Sequence, residues 1–274
     1  MRILCSVLMA LLLVSLNGQS RADDALPPLL QGVGIEQHLG ESVPLDLLFH
    51  DEAGRAVRLK QYFHDKPVVL VLAYYRCPRL CTAVLNGLEH SMAGIATLDI
   101  GRDFEVLTVS FDPRETPDLA AAKKEVYVQQ YGRSGAAEGW HFLTGSETSI
   151  KQLTAAVGFH YNYDPRSDQF AHASGIMVLT PEGKLARYFY GIPDSSRNLR
   201  LGLVEASAGK IGSRVDQILL ACFHYDPTTG QYTLAILSFV RLAGAITLVL
   251  LGGYFVKVWR GERRAARRRT VPTG

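Results

Sequence analysis

Two cysteines four residues apart, Cys77 and Cys81, are the side chains in this sequence best placed to do chemistry. Such a pair can close a disulfide or hold one metal ion between two thiolates. They stand in Cys77-Pro78-Arg79-Leu80-Cys81, directly after the apolar run Val68-Val69-Leu70-Val71-Leu72-Ala73. That run has the pattern of a strand buried on both faces. Pro78 suits the first turn of a helix, where its missing N–H costs nothing. The expectation is a strand giving way to a helix from Pro78 to about Ala96, with both cysteines on one helical face. Their Cα atoms would then lie about 6 Å apart. The positive end of the helix should favour ionisation of Cys77, unlike two inert cysteines buried in a core.

The elements that position this pair lie inside an exported segment. Residues 1–22 read as a secretory signal peptide: Arg2, an apolar stretch from Ile3 to Leu16, then the small-residue pattern Ser20-Arg21-Ala22. Cys5 would leave with it, so Cys77, Cys81 and Cys222 would remain in an oxidising compartment, an odd number. Residues 233–256 read as a transmembrane helix, about 23 residues long and interrupted by Arg241, which can snorkel to the interface. The basic tail 257–274 carries seven bases against the single acid Glu262, and the positive-inside rule places it in the cytoplasm. The expected organisation is a leader at 23–30, a folded domain at 31–209 and a juxtamembrane helix and linker at 210–232. The domain would face the periplasm from a single-pass anchor in a bacterial inner membrane.

The charge of the chain is uneven. The whole sequence is +3, the tail accounts for +6 and the signal peptide for +2, so the exported part before the tail is −5. A nucleic-acid partner is excluded for the folded domain, since phosphate binding needs a basic face there. The arginines of the tail serve topology and contact with anionic lipid.

Along the domain, Leu45–Phe49 and Ala56–Leu59 flank Asp51-Glu52-Ala53-Gly54, a hairpin signal. Phe104–Phe111 is a second buried strand, and Thr116-Pro117 caps and starts a helix through Tyr131. Trp140–Leu143 reads as a strand and Glu147–Val157 as a helix. Gly175–Leu179 and Leu185–Tyr190 form a second hairpin, and Ser196–Ala208 a closing helix. Alternation followed by an antiparallel pair implies an α/β fold, a mixed sheet flanked by helices. With cysteines after the first central strand, the layout is thioredoxin-like.

Three blocks carry a resemblance to a known family. They are Cys77-Pro78-Arg79-Leu80-Cys81, then Phe111-Asp112-Pro113-Arg114-Glu115-Thr116-Pro117, then Ala171-His172-Ala173-Ser174 before a strand ending in Thr180-Pro181-Glu182-Gly183. In this order, over roughly residues 30–207, they resemble the Sco/SenC family of membrane-tethered copper proteins that help assemble cytochrome c oxidase. Two features depart from it: Thr82 follows Cys81 where the family usually has proline, and the expected anchor is C-terminal rather than N-terminal. The resemblance assigns the third ligand of a copper ion to His172, beside Cys77 and Cys81. Two thiolates and an imidazole are a soft set suited to copper. His172 also precedes a central strand, where ordinary thioredoxins carry a cis-proline; no proline lies between Phe170 and Val178.

Other candidates are weaker. Asp112 either stands near the copper, as the resemblance implies, or is a turn residue before Pro113. Cys222 falls on an apolar helical stripe with Ile211, Val215, Ile218 and Leu219, or pairs with His224 as an accessory copper site. His38, His50, His64, His90 and His141 read as solvated, and His160 as a strand-edge residue. The resemblance implies a copper metallochaperone rather than an enzyme. Its client would be subunit II of the oxidase with its dinuclear copper centre, and a periplasmic thiol reductant or copper donor would load it. The alternative is a thiol–disulfide oxidoreductase that reduces the client's cysteines, with Cys77 attacking and Cys81 resolving.

Overall fold

The computed structural model describes residues 27–211, 225–226, 231–232, 244–248 and 251–260. The chain divides into two units, Met1–Ile211 and Gly212–Gly274. In the first, the strands are β1 (Gly34–Ile35), β2 (Leu48–His50), β3 (Ala56–Arg58), β4 (Val68–Ala73), β5 (Glu105–Ser110), β6 (Trp140–Gly145), β7 (Phe159–Asp164), β8 (Gln169–His172), β9 (Gly175–Leu179) and β10 (Leu185–Tyr190). The helices are α1 (Leu80–Ala93), α2 (Pro117–Tyr131), α3 (Ala136–Gly139), α4 (Glu147–Ala156) and α5 (Ser196–Ser207).

Seven strands form one mixed sheet in the order β10-β9-β4-β5-β6-β2-β3. β4, β5 and β6 run parallel, with Val68 opposite Glu105 and Ala73 opposite Ser110, while β9 lies antiparallel on the other side of β4. The valine-rich run is thus central and every residue of β4 is buried. Its alternate side chains serve two cores, because successive residues of a strand point to opposite faces. Val69 and Val71 join Leu88, Met92, Tyr127, Trp140 and Leu203 beneath α1, α2 and α5. Leu70 and Leu72 join Phe111, Ile150, Leu153, Phe159 and the two cysteines on the face covered by α4. This is the thioredoxin-like α/β arrangement, helices on both faces of a mixed sheet.

Most element bounds agree with the sequence pattern to within two residues, and three features depart from what that pattern implies. The first is a separate sheet, β1-β7-β8, with Gly34 opposite His160 and Tyr161 opposite His172. The second is the start of α1, which lies at Leu80 with Arg79 at the N-cap, two residues later than Pro78 implies. The third is the cap of α2: Thr116 occupies the N-cap position before Pro117, yet its side chain makes no capping bond. Ser146 and Ser195 do cap their helices, accepting from the N–H groups of Ser149 and Asn198. At the end of the expected leader, Pro28–Leu30 forms a 3-10 turn. Asn162 Nδ2 holds it by donating to the Leu29 and Gln31 carbonyls at 2.9 Å.

In the second unit, Tyr225–Asp226 and Gln231–Tyr232 pair antiparallel, and residues 244–248 and 251–260 are helical. Among the described residues no helix is long and apolar enough to cross a membrane. Residues 233–243 and 249–250 of the expected span lie outside the described residues, as do the signal peptide, Cys222, His224 and residues 261–274.

Candidate metal centre

The chain leaves β4 through a turn closed by the Cys77 N–H on the Tyr74 carbonyl, 3.1 Å. Cys77 is therefore not on the helix, and the two cysteines do not share a helical face. Instead Cys77 stands just before α1, and its sulfur accepts the N–H of Cys81 at 3.3 Å. The sulfur does what an N-cap oxygen ordinarily does, taking up one of the unpaired donors of the first turn. Thr82 adds a brace by donating its hydroxyl to the Cys77 carbonyl at 3.2 Å. The sulfur of Cys81 accepts from the Tyr74 N–H at 3.4 Å. Each sulfur thus faces backbone N–H donors, an arrangement that favours negative charge on sulfur.

His172 ends β8 and brings its ring to the cysteines from the separate sheet. Its Nε2 lies 3.4 Å from the Cys81 sulfur. Its Nδ1 lies 2.8 Å from the Ala173 carbonyl, so Nδ1–H donates there and Nε2 is the ring nitrogen that faces the sulfurs. The imidazole sits edge-on to Tyr74 and Phe111, with centroids at 5.9 and 5.3 Å. The three candidate donor atoms of Cys77, Cys81 and His172 all lie within 4.8 Å of one another, the one such group of three among the described residues. Both cysteines are buried and the histidine half-buried.

The two thiols are electrostatically unequal. The hydrogen bond from the Cys81 thiol, with further help from His172 and the backbone N–H groups, holds the Cys77 thiol far below its ordinary range, at about 3. Burial, and then the neighbouring Cys77 thiolate, push the Cys81 thiol well above its ordinary range. In the metal-free dithiol, Cys77 is the thiolate and Cys81 keeps its proton.

Asp112 is buried at the end of β5, but its carboxylate is taken up by Arg114 through Nε and Nη2, both at 2.8 Å. It also accepts the Arg114 N–H at 3.0 Å, the turn role that its place before Pro113 suggests. Glu115, in the same block, has a part that no spacing rule reveals. Its buried carboxylate accepts the N–H of Tyr75 at 2.7 Å, the N–H of Arg76 at 2.8 Å and the Ser110 hydroxyl at 2.6 Å. Burial holds its carboxyl above the usual range, against the pull of those three donors. It fastens the turn before Cys77 to the end of β5.

The remaining histidines are not uniformly solvated. His141 is largely buried, its ring 4.4 Å from Tyr62 and its Nε2 3.6 Å from Glu105. His38 Nδ1 lies 3.0 Å from the Ala156 carbonyl. His160 lies on β7 with its side chain half exposed.

The sequence profile of the SCO1/SenC family matches residues 41–200, more than half of the chain. The chain belongs to the SCO1/SenC family. Cys77, Cys81 and His172 all fall within the matched residues of this SCO1/SenC protein. Among solved structures it is similar to a candidate electron transfer protein of Aquifex aeolicus VF5, at 26% identity and a TM-score of 0.54, covering 63% of this chain and 95% of that one. BsSco, described as a member of the Sco family of cytochrome c oxidase assembly proteins, is 18% identical with a TM-score of 0.50, over 64% and 99% of the two chains. The copper-bound ScoI of Arabidopsis thaliana is 17% identical with a TM-score of 0.47, over 58% and 96%. No curated protein matches the chain.

Proposed function

We propose that this SCO1/SenC protein is a copper metallochaperone, binding one copper ion at Cys77, Cys81 and His172 and passing it on by ligand exchange. The observation that carries this reading is the convergence of two sulfurs and an imidazole nitrogen within 4.8 Å. Two thiolates and an imidazole suit copper among first-row metals. The Nδ1–H bond to the Ala173 carbonyl supplies the outer partner that orients a metal-bound histidine. The client is a respiratory cytochrome c oxidase, at the dinuclear copper centre of its second subunit. The domain stands in the periplasm on a C-terminal anchor, with the basic tail inside.

The thiolate–thiol split supports a second reading, a thiol–disulfide oxidoreductase. A depressed Cys77 beside a protonated Cys81 is the pairing in which one sulfur attacks and the other resolves. Metal analysis of the full chain, purified anaerobically and loaded with copper, separates the two. One tightly held copper per chain is expected, and a dithiol that cycles without retaining copper would leave the oxidoreductase. A periplasm-active reporter fused after Tyr232 should be active and one after Thr270 silent; activity at both would overturn the single-span reading.

A further inference from the structure

One side chain joins the two parts of the structure that must meet for the site to exist. Arg114 stands in the loop between β5 and α2, on the body that carries the cysteines. Its Nε and Nη2 grip the Asp112 carboxylate, both at 2.8 Å. Its Nη1 reaches across to the β7–β8 hairpin, 2.6 Å from Asp168 Oδ1 and 3.3 Å from the Tyr163 hydroxyl. The Tyr163 hydroxyl in turn donates to Asp168 at 2.8 Å. The guanidinium also lies over the Tyr163 and Phe170 rings, at 5.0 and 5.7 Å. Tyr163 and Phe170 are a cross-strand pair, and two residues along on each strand the pair is Tyr161 and His172. Residues two apart share a strand face, so the cation grips the hairpin on the face that presents His172.

The two ends of this clasp differ in strength. The Asp112 side chain is 2% exposed and bound in a two-point fork, the strong form of an arginine–carboxylate contact. The Asp168 side chain is 71% exposed, where an ion pair is screened by salt and contributes little. One end is fixed and the other can let go, and the end that lets go is on the hairpin. Asp168 also holds a positive φ of 53°, the sole non-glycine residue among those described to do so, which confines the turn to a conformation most side chains avoid.

We propose that Arg114 is a positioning residue, a clasp whose Asp168 end holds His172 on the metal and whose opening lets the metal leave. This rests on the copper reading above, and it adds what controls release: the hairpin swings, the two sulfurs stay, and a client ligand enters where the imidazole was. The test uses the full chain as Asp168→Asn and, separately, Arg114→Lys. Asparagine tolerates the left-handed backbone while removing the charge, and lysine keeps the charge while losing the fork. Copper-loaded protein is mixed with an uncharged copper chelator at low and high salt. Both variants should release copper about 2–5-fold faster than the parent, the scale that an exposed ion pair can supply. Salt should speed release from the parent and leave the Asp168→Asn variant unchanged. In metal-free protein, the amides of residues 169–172 should exchange hydrogen faster in both variants, with those of β4 unaffected. Release and exchange both equal to the parent would overturn the clasp. A parent chain that holds no copper would sink the copper reading instead, and the exchange rates would still decide whether the clasp holds the hairpin.

Discussion

The sulfur of Cys81 and Nε2 of His172 lie 3.4 Å apart although 91 residues of chain separate them. Nothing in the backbone of either segment joins the two directly. Cys81 belongs to the first turn of α1, on the body of the seven-stranded sheet, and His172 to the smaller sheet beside it.

That division of ligands separates the two proposed chemistries. Thiol exchange needs the sulfurs alone, whereas a three-ligand metal site needs the imidazole. His172→Ala should therefore weaken copper binding at least 10–100-fold and fail to support oxidase assembly, yet still cycle between dithiol and disulfide. Competition against a copper chelator and thiol titration check the two halves. Lost copper binding with normal oxidase assembly would replace the metallochaperone with the oxidoreductase.

The unequal thiols predict a pH dependence with a definite sign. The hydrogen bond from Cys81 holds the folded Cys77 thiol far below its ordinary range, so the folded dithiol binds fewer protons across that window than the unfolded chain. Its contribution to stability is complete above the unfolded value and is lost as pH falls toward the folded one. Stability of the reduced protein should rise with pH across that window, by at most about 1.4 kcal/mol per pH unit from this group. Urea midpoints under reductant at pH 6 and pH 8 measure the slope, and Cys77→Ser should flatten it. At pH 5 iodoacetamide should label Cys77 and spare Cys81; equal labelling would contradict the assignment of the thiolate.

Glu115 sets the turn that launches Cys77, so its loss should be felt in stability as well as at the site. Glu115→Ala leaves the Tyr75 and Arg76 N–H groups and the Ser110 hydroxyl without their shared acceptor. The expected cost is about 2–3 kcal/mol in urea unfolding, the range for stranding buried donors of a charged acceptor. Glu125→Ala, on the exposed face of α2, should change stability by less than about 0.5 kcal/mol. A Glu115→Ala protein as stable as that control would show that the carboxylate is not the fastening.

Much of this was open to reading along the chain. The Val68–Ala73 run announces its burial by lacking any polar position, and Thr116-Pro117 marks the start of α2 to the residue. The two sulfurs were legible from their spacing, but the reason they converge was not. Pro78 suggests a helix that already contains Cys77, whereas the Cys77 sulfur stays outside and caps it. The β7–β8 hairpin left a trace in the alternation Phe159-Tyr161-Tyr163 and in Phe170-x-His172, yet its turn, Asp164-Pro165-Arg166-Ser167-Asp168, lacks the glycine that usually signals one. Glu115 and Arg114 act across tertiary gaps, and no local pattern encodes which backbone or hairpin a carboxylate or guanidinium will reach.

The placing of β4 also has a consequence for how the protein comes into being. One neighbour of β4 is β5, made soon after it, but the other is β9, and Val68 pairs with Leu179 from far down the chain. Until residues 175–179 have been synthesised, the most apolar strand of the domain is an open edge, the kind that recruits strands from other molecules. A chain stopped at Ser174 holds all three candidate ligands and should nonetheless sediment as aggregate, where the full chain remains dispersed. A nascent polypeptide therefore carries every candidate ligand of the site before the strand that closes the edge of β4 exists.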